Sequence, residues 1–285
     1  MPRATIAALN VYPVKSCRGI GLDKARVAAR GLVAATPTTE AGDREWMIVA
    51  PDGRFVTQRD DPRLALIGTS LAPGALVLSA AGVAPLAVPL ESRGGTAREV
   101  TVWNSRVPAR DAGDAAAGWL AAVLGADLRL VRFDPAHRRP CNPDYAGDSG
   151  AHTAFADGYP LLVIAEASLA DLNLRLAAKG VPVLPMNRFR PNLVLTGLEP
   201  YDEDHIDTLV TDGVTMKLVK PCARCAITTI DQDSGQVGQE PLATLAGYRT
   251  DVRLAGVTFG MNAIVVAGEG RDVSVGDGVE AHFAF

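Results

Sequence analysis

Two cysteines, Cys222 and Cys225, flank Arg224 and carry the clearest chemical signal in the chain. A neighbouring guanidinium favours the thiolate form, and thiolates serve as ligands for soft metals or as redox groups. The spacing leaves three interpretations open: one cysteine binds the metal of a cofactor, both form a redox dithiol, or both are buried structural residues. A structural zinc site is disfavoured, because it needs four ligands and the four histidines are scattered.

Polar and basic residues that could contact an anion occur in two other stretches. Lys15, Ser16 and Arg18 lie in a turn-rich loop, where side chains and backbone amides are suited to cradle an anion. Residues 186–192 contain two arginines and two asparagines, a donor cluster suited to an anionic or heteroaromatic ligand. In both stretches the alternative interpretation is an exposed basic turn without a ligand.

Several enzyme classes lack their sequence signals here. The chain contains no Gly-x-Ser-x-Gly motif, no Gly-x-Gly-x-x-Gly after a strand and no Walker A loop. A serine hydrolase and a Rossmann-type flavin or nicotinamide oxidoreductase are therefore not indicated.

Bulk composition describes an ordinary globular protein. The 285 residues are 48% hydrophobic and 21% charged, with a net charge of −4. An acidic balance argues against a nucleic-acid partner. No apolar run approaches the roughly 18 residues of a membrane span, and the N-terminal residues lack the apolar core of a signal peptide. We therefore expect no membrane association. Four cysteines are too few for a disulfide scaffold, which predicts free thiols and a cytoplasmic protein.

The elements that position these residues are predicted to be mainly short strands. Glycine and proline punctuate the apolar runs at short intervals, a pattern typical of a β-sheet or barrel. The alternating run before the cysteines predicts a strand that Pro221 ends, and residues 227–230, which are β-branched, predict another strand, so the thiols lie at a bend. The other predicted strands are residues 6–11, 43–49, 64–71, 76–80, 85–88, 99–103, 128–133, 161–164, 193–196, 263–266 and 273–283.

Three helices are predicted. Residues 114–124 form one, with Asp114 as the N-cap and Gly125 as the C-cap, and residues 167–178 form another, capped by Ser168. Residues 241–248 form a short third helix. Residues 134–150 have no periodicity and predict a long surface loop, and loops of that length are often functional.

At this point the residues carry a resemblance. The run Lys220-Pro221-Cys222-Ala223-Arg224-Cys225-Ala226-Ile227-Thr228-Thr229 resembles the signature of the molybdenum cofactor sulfurase C-terminal, or MOSC, family. Further matches occur in the same order from the Lys15 loop to residues 275–277, so the resemblance covers nearly the whole chain. It implies a mainly β fold with a few helices (α+β), with an N-terminal β-rich domain in residues 1–125 and a MOSC β-barrel domain in residues 126–285.

The resemblance also implies roles for individual residues. Cys225 matches the ligand of molybdenum, Cys222 matches a cysteine that is not a ligand, and Asp157 matches a carboxylate close to the metal. The cofactor implied is a molybdenum–molybdopterin, which brings a dithiolene and a phosphate and needs one more soft ligand and an anion clamp. The residues expected to hold its pterin and phosphate are Lys15, Ser16, Arg44, Arg190, Asn192, Thr229 and Arg249.

The activity implied is the reduction of N-hydroxylated small molecules, as in the mitochondrial amidoxime-reducing components and the bacterial members that detoxify hydroxylaminopurines. Electrons are expected from a separate donor, such as a ferredoxin, a cytochrome b5-like protein or a flavin reductase. The alternative is a cofactor carrier or sulfur-transfer protein in which Cys225 carries a persulfide.

Overall fold

The computed structural model describes residues 3–90 and 95–284 and is built mainly from strands, which confirms the predicted fold class. The strands are β1 Arg3–Val11, β2 Ile20–Leu22, β3 Lys24–Ala28, β4 Gly31–Thr36, β5 Thr39–Gly42, β6 Trp46–Val49, β7 Gly68–Ala72, β8 Ala75–Ala80, β9 Val83–Pro89, β10 Ala97–Val102, β11 Ser105–Asp111, β12 Arg129–Phe133, β13 Arg139–Pro140, β14 His152–Thr153, β15 Leu161–Ala165, β16 Leu193–Thr196, β17 Ile206–Thr211, β18 Val214–Ala223, β19 Thr250–Asp251, β20 Gly256–Ala267, β21 Asp272–Ser274 and β22 Gly278–Phe283.

The helices are few and short. The α-helices are α1 Asp114–Leu124, α2 Pro143–Ala146, α3 Glu166–Ala177 and α4 Leu242–Leu245, and the 3₁₀ helices are Pro62–Leu66, Met186–Arg188, Asp202–His205 and Ala226–Thr229. Across residues 3–90 and 95–284, no helix combines the length and the apolar character that crossing a bilayer requires.

Seven strands of the described chain close into a barrel in the order β15, β16, β1, β22, β17, β18 and β20, and β20 pairs with β15 to complete it. Side chains that alternate along these strands fill the interior, as for Ala4 and Ile6 of β1 and Leu193 and Leu195 of β16. The first strand of the chain is therefore part of a barrel whose other strands all follow residue 160.

Most of the other strands of the N-terminal half form smaller sheets. One sheet has the order β10, β11, β12, β6, a second has β7, β8, β9, and a third joins β3, β4 and β5 to β21. Helix α1 covers a second core with Trp119 and Leu120, which are buried together with Trp46. The pairing of β21 with β3 and the place of β1 in the barrel link the two halves of the chain. The division at residues 125 and 126 stays a prediction.

Two strand predictions are wrong. Residues 64–71 begin in the 3₁₀ helix Pro62–Leu66, because Asp61 caps it and Pro62 starts it, and only the later part is β7. Residues 227–230 fall largely in the 3₁₀ helix Ala226–Thr229. There Thr228 and Thr229 donate their hydroxyls to the carbonyls of Cys225 and Ala226, a local bond that β-propensity does not register.

Pro221 does not end its strand. β18 continues to Ala223, because the register with β20 shifts between Leu218 and Lys220 and again between Pro221 and Ala223. Such irregularities accommodate a residue that has no backbone N–H to donate. The bend that presents the cysteines therefore starts later than predicted.

Two of the three predicted helix caps are also wrong, although the helices at residues 114–124 and 166–177 both exist. Gly113 precedes α1 in the N-cap position, so Asp114 is already helical, while Gly125 at the C-terminus is confirmed with φ 67°. Ser168 lies inside α3 and does not cap it. Its hydroxyl donates to a buried carboxyl oxygen of Glu203, at 2.7 Å, because that carboxyl needs a donor in the protein interior.

The pH dependence of stability is expected to report on Glu203. Its side chain is completely buried, and burial raises its pKa from 4.5 to about 7, although the hydroxyl of Ser168 and the amide of Ala165 bond to the carboxyl. Between those two values the folded state binds more protons than the unfolded state. The free energy of unfolding should therefore fall as pH rises through this window, by up to about 3 kcal/mol. Glu203→Gln, which cannot ionise, should remove that component in urea unfolding at pH 5 and pH 8. Parallel pH profiles for the two proteins would contradict this assignment.

Candidate functional site

A cavity beside the barrel brings together residues that are far apart in the sequence. It lies at the end of β18 and is lined by seven of the nine residues predicted from the sequence. The seven are Lys15, Ser16, Arg44, Asp157, Arg190, Asn192 and Cys225.

Cys225 follows β18 and occupies the N-cap position of the 3₁₀ helix Ala226–Thr229. The amide and hydroxyl of Thr228 donate to the Cys225 carbonyl, at 3.1 and 3.0 Å, which fixes the backbone of the cysteine. The guanidinium of Arg59 reaches the sulfur, with Nη1 at 3.5 Å from Sγ. Cys225 thus presents a thiol beside a cation at the wall of the cavity.

The loop after Cys225 is anchored to the N-terminal half of the chain. Gln58 and Gln232 exchange two amide hydrogen bonds of 2.9 Å, and both side chains are buried. Arg18 adds bonds to the carbonyl of Gln232 and to Asp233. These contacts hold the turn that carries the thiol in one position.

Cys222 has different surroundings. Its sulfur accepts a hydrogen bond from Arg224 Nη1 at 2.9 Å, and the other arm of Arg224 donates to the Phe189 carbonyl. All four cysteines are free, and burial raises the pKa of Cys17 to about 12 and that of Cys141 to about 11. Cys17 and Cys141 are therefore unreactive thiols, while Cys222 and Cys225 line the cavity.

Three cavity residues have left-handed backbone conformations, which non-glycine residues rarely adopt. Their φ angles are 68° for Ser16, 47° for Arg44 and 56° for Arg190. Each such residue costs roughly 1 kcal/mol or more, and such costs concentrate at functional sites. The fold therefore holds these side chains in place against their backbone preference.

Tyr12 organises two of the cations. Its ring has the guanidinium of Arg44 and that of Arg190 each at 4.3 Å from its centroid. Gly19 gives the ring room, since a Cβ on that residue would lie 2.5 Å from it. Attraction to the ring offsets the repulsion between two neighbouring cations. Sequence reasoning missed Tyr12, because its role depends on contacts that no local pattern reveals.

Asn192 and Asp43 form the polar floor beneath Arg44. The Asp43 carboxylate pairs with Arg44 at 2.6 Å and accepts bonds from Asn192 and from the Tyr12 amide, both at 2.9 Å. Burial opposes the charge of Arg44, but the Asp43 carboxylate raises its pKa overall. The Asn192 oxygen accepts from the Leu162 amide at 3.1 Å, so Asn192 largely positions its neighbours.

Arg190 is a buried cation that forms no ion pair with a carboxylate of residues 3–90 or 95–284. Its Nη2 atom is buried and has no hydrogen-bond partner within the part of the chain that the structure describes. Burial, together with the charge of Arg44, lowers the pKa of Arg190 to about 10. A buried unpaired donor of this kind fits an anionic ligand.

Lys15 and Asp157 form an ion pair in the cavity. The Lys15 ammonium donates to Asp157 Oδ1 and, at 2.9 Å, to the Phe155 carbonyl. Burial lowers the pKa of Lys15, and Asp157 offsets only part of that effect. Desolvation acts on Asp157 in the opposite direction, but the charge and hydrogen bond of Lys15 hold the pKa of that carboxyl well below its usual range. Asp157 is therefore an ionised acceptor at neutral pH.

Arg139 holds the backbone of the Asp157 loop. Its guanidinium donates to the carbonyls of Ala154, Ala156 and Asp157. Arg139 begins β13, within the residues 134–150 that were predicted to form a functional loop. Most of that segment is loop, as predicted, but it also contains the short helix α2, because Asn142 caps a turn that Pro143 starts.

Thr229 and Arg249 lie outside the cavity, in contrast to the other predicted residues. Thr229 is buried and donates to the Ala226 carbonyl, so it stabilises the turn after Cys225. Arg249 pairs with Asp204 at 2.6 Å and donates to the Thr258 carbonyl. The side chain of Arg249 is therefore engaged by Asp204, a contact that the sequence pattern around residue 249 does not reveal.

Two family models match successive parts of the chain. Residues 3–127 match the family described as MOSC N-terminal beta barrel domain, and residues 150–280 match the family described as MOSC domain. Mitochondrial amidoxime-reducing component 1 of Homo sapiens is 38% identical over 251 residues, which cover 86% of this chain and 72% of that protein. Mitochondrial amidoxime reducing component 2 is 36% identical in Bos taurus and 35% identical in Rattus norvegicus, and each match also covers 86% of this chain and 72% of the relative. The chain belongs to the MOSC family, and it joins a MOSC N-terminal β-barrel domain to a MOSC domain.

Proposed function

We propose that this protein is a molybdenum-cofactor-dependent oxidoreductase that reduces N-hydroxylated compounds with electrons from a separate donor. The observation that carries the proposal is the convergence of Cys225 with Lys15, Arg44 and Arg190 on one cavity. The names of the mitochondrial relatives add amidoximes as a substrate class.

The residues present fit a molybdopterin. Cys225 would supply the protein's sulfur ligand, and a soft thiolate suits that metal. Lys15, Arg44 and Arg190 would hold the anionic phosphate and pterin, and Nη2 of Arg190, which has no partner among the described residues, is a donor available for a bond. When bound, the cofactor supplies the two-electron chemistry that removes oxygen from nitrogen.

Asp157 is suited to orient the substrate. Its carboxylate is ionised and half-open to solvent, with Lys15 on one oxygen, so it can accept hydrogen bonds from the amino group of an amidoxime.

The reaction consumes two electrons and two protons, and it converts N–OH into N–H and water. Five cationic side chains line the cavity, and they favour an electron-rich, uncharged substrate over a cationic one.

Metal and pterin analysis tests the proposal directly. Protein purified from a host that makes the cofactor should contain molybdenum and pterin, and with a chemical reductant it should convert benzamidoxime to benzamidine. Protein without molybdenum would refute the proposal. Molybdenum without turnover, together with a persulfide on Cys225 in the mass spectrum, would instead support a cofactor carrier or sulfur-transfer protein.

A further inference from the structure

Trp103 occupies an unusual position at the rim of the cavity. It is the first residue of the two-residue turn between β10 and β11, and its φ is 53°. Turns of this length favour glycine at such positions, because a side chain there strains the backbone. Trp103 as a whole residue is 44% exposed, whereas Trp46 and Trp119 are 2% and 7% exposed. The chain thus keeps a large aromatic side chain at a strained and solvent-exposed site.

The contacts of Trp103 connect it to the reactive part of the cavity. Its Nε1 donates to Asp157 Oδ1 at 3.0 Å, and the Arg59 guanidinium lies 4.7 Å from its ring. Arg59 in turn reaches the Cys225 sulfur at 3.5 Å. The Phe55 ring packs against Trp103 with a centroid distance of 5.3 Å. The indole is therefore held in place in direct contact with the carboxylate, and one side chain, that of Arg59, separates it from the thiol.

We propose that Trp103 is the specificity-determining residue of this site, and that its exposed ring surface stacks on flat, π-bonded substrates. This inference rests on the proposed function. A rigid aromatic surface adds binding energy for a planar ring at little entropic cost, and it discriminates poorly among flexible aliphatic groups. The chemical class selected is aromatic amidoximes and N-hydroxylated heteroaromatic bases. The N–OH group of such a substrate would point past the indole edge towards Asp157.

Fluorescence provides a binding test that needs no turnover. Trp103 is the exposed tryptophan among three, so benzamidoxime should quench the fluorescence of the intact protein, whereas acetamidoxime should leave it unchanged. Trp103→Gly should lose the quenching, and Trp119→Phe, which alters a buried tryptophan, should keep it. Equal quenching in Trp103→Gly would overturn the proposal.

Kinetics with the same pair of substrates separates stacking from mere positioning of Asp157 and Arg59. Trp103→Gly should raise KM for benzamidoxime about ten-fold and leave KM for acetamidoxime within about two-fold. Trp103→Phe, which keeps a ring but lacks the indole N–H, should show a smaller increase. Because glycine suits the positive φ, the thermal midpoint of Trp103→Gly should be unchanged or higher, which excludes misfolding as the cause. Equal losses for the two substrates would overturn the role in specificity.

The two proposals fail in different ways. Turnover of benzamidoxime without any quenching overturns the role of Trp103 and leaves the proposed function intact. Quenching by benzamidoxime in a protein that contains no molybdenum overturns the proposed function and supports the stacking surface.

Discussion

Cys225→Ala is expected to lose its molybdenum and to lower the reduction of benzamidoxime by more than about 100-fold. Alanine removes the sulfur that the cavity offers next to Arg59 and leaves the hydrogen bonds of the turn, which involve backbone and threonine atoms, in place. The fold should therefore persist. Elemental analysis and steady-state assays on the purified variant measure both effects.

Cys222→Ala is the matched control. This cysteine lies three residues away and also lines the cavity, but its sulfur accepts a hydrogen bond from Arg224, whereas the Cys225 sulfur accepts one from Arg59. The control should keep its molybdenum and most of its activity. Equal loss of activity in both variants, with molybdenum retained, would instead support a dithiol mechanism that uses the two cysteines together.

Arg190→Gln is expected to lose the cofactor without losing stability. The charge of Arg190 is buried without a carboxylate partner among the described residues, and burial lowers its pKa to about 10, so folding disfavours the charged form. Glutamine removes that penalty and also removes the donor available to an anion. The thermal midpoint of the cofactor-free protein should therefore stay the same or rise, while the pterin content falls.

Arg249→Gln is expected to lose stability and to keep the cofactor. Its partner Asp204 is largely buried and would lose the ion pair, so the thermal midpoint should fall. The cofactor content should be preserved, since Arg249 lies outside the cavity. Differential scanning fluorimetry and pterin analysis on both variants test this contrast. If Arg249→Gln lost the cofactor while its thermal midpoint stayed unchanged, the result would support the cofactor-binding role of Arg249 that the resemblance implies.

The sequence predicted most elements whose signal is local. The strand at residues 193–196 and the helix at residues 114–124 have the predicted bounds, because apolar periodicity and flanking glycines act over a few residues. The resemblance to the MOSC family is confirmed by the matched domains and relatives. It selected Lys15, Arg44, Arg190 and Cys225, which the structure brings to one cavity.

The missed features depend on contacts between distant segments. Tyr12 lies between Arg44 and Arg190 only after β1 and β16 pair, and Trp103 meets Asp157 only when the N-terminal sheet packs beside the barrel. The ion pair of Arg249 with Asp204 was not anticipated, because a basic residue in a family motif does not reveal which carboxylate engages it, and its role in cofactor binding stays a prediction. Local propensity likewise could not anticipate that threonine hydroxyls would turn the segment after Cys225 into a 3₁₀ helix.

The pairing of β1 bears on when the proposed cofactor can enter. β1 is synthesised before its barrel partners β16 and β22, which lie far downstream in the sequence. Lys15 and Ser16 follow β1, so we expect the binding groups they contribute to reach their final positions only when those downstream strands have paired. Loading of the proposed pterin is therefore expected to follow the synthesis and pairing of β16 and β22.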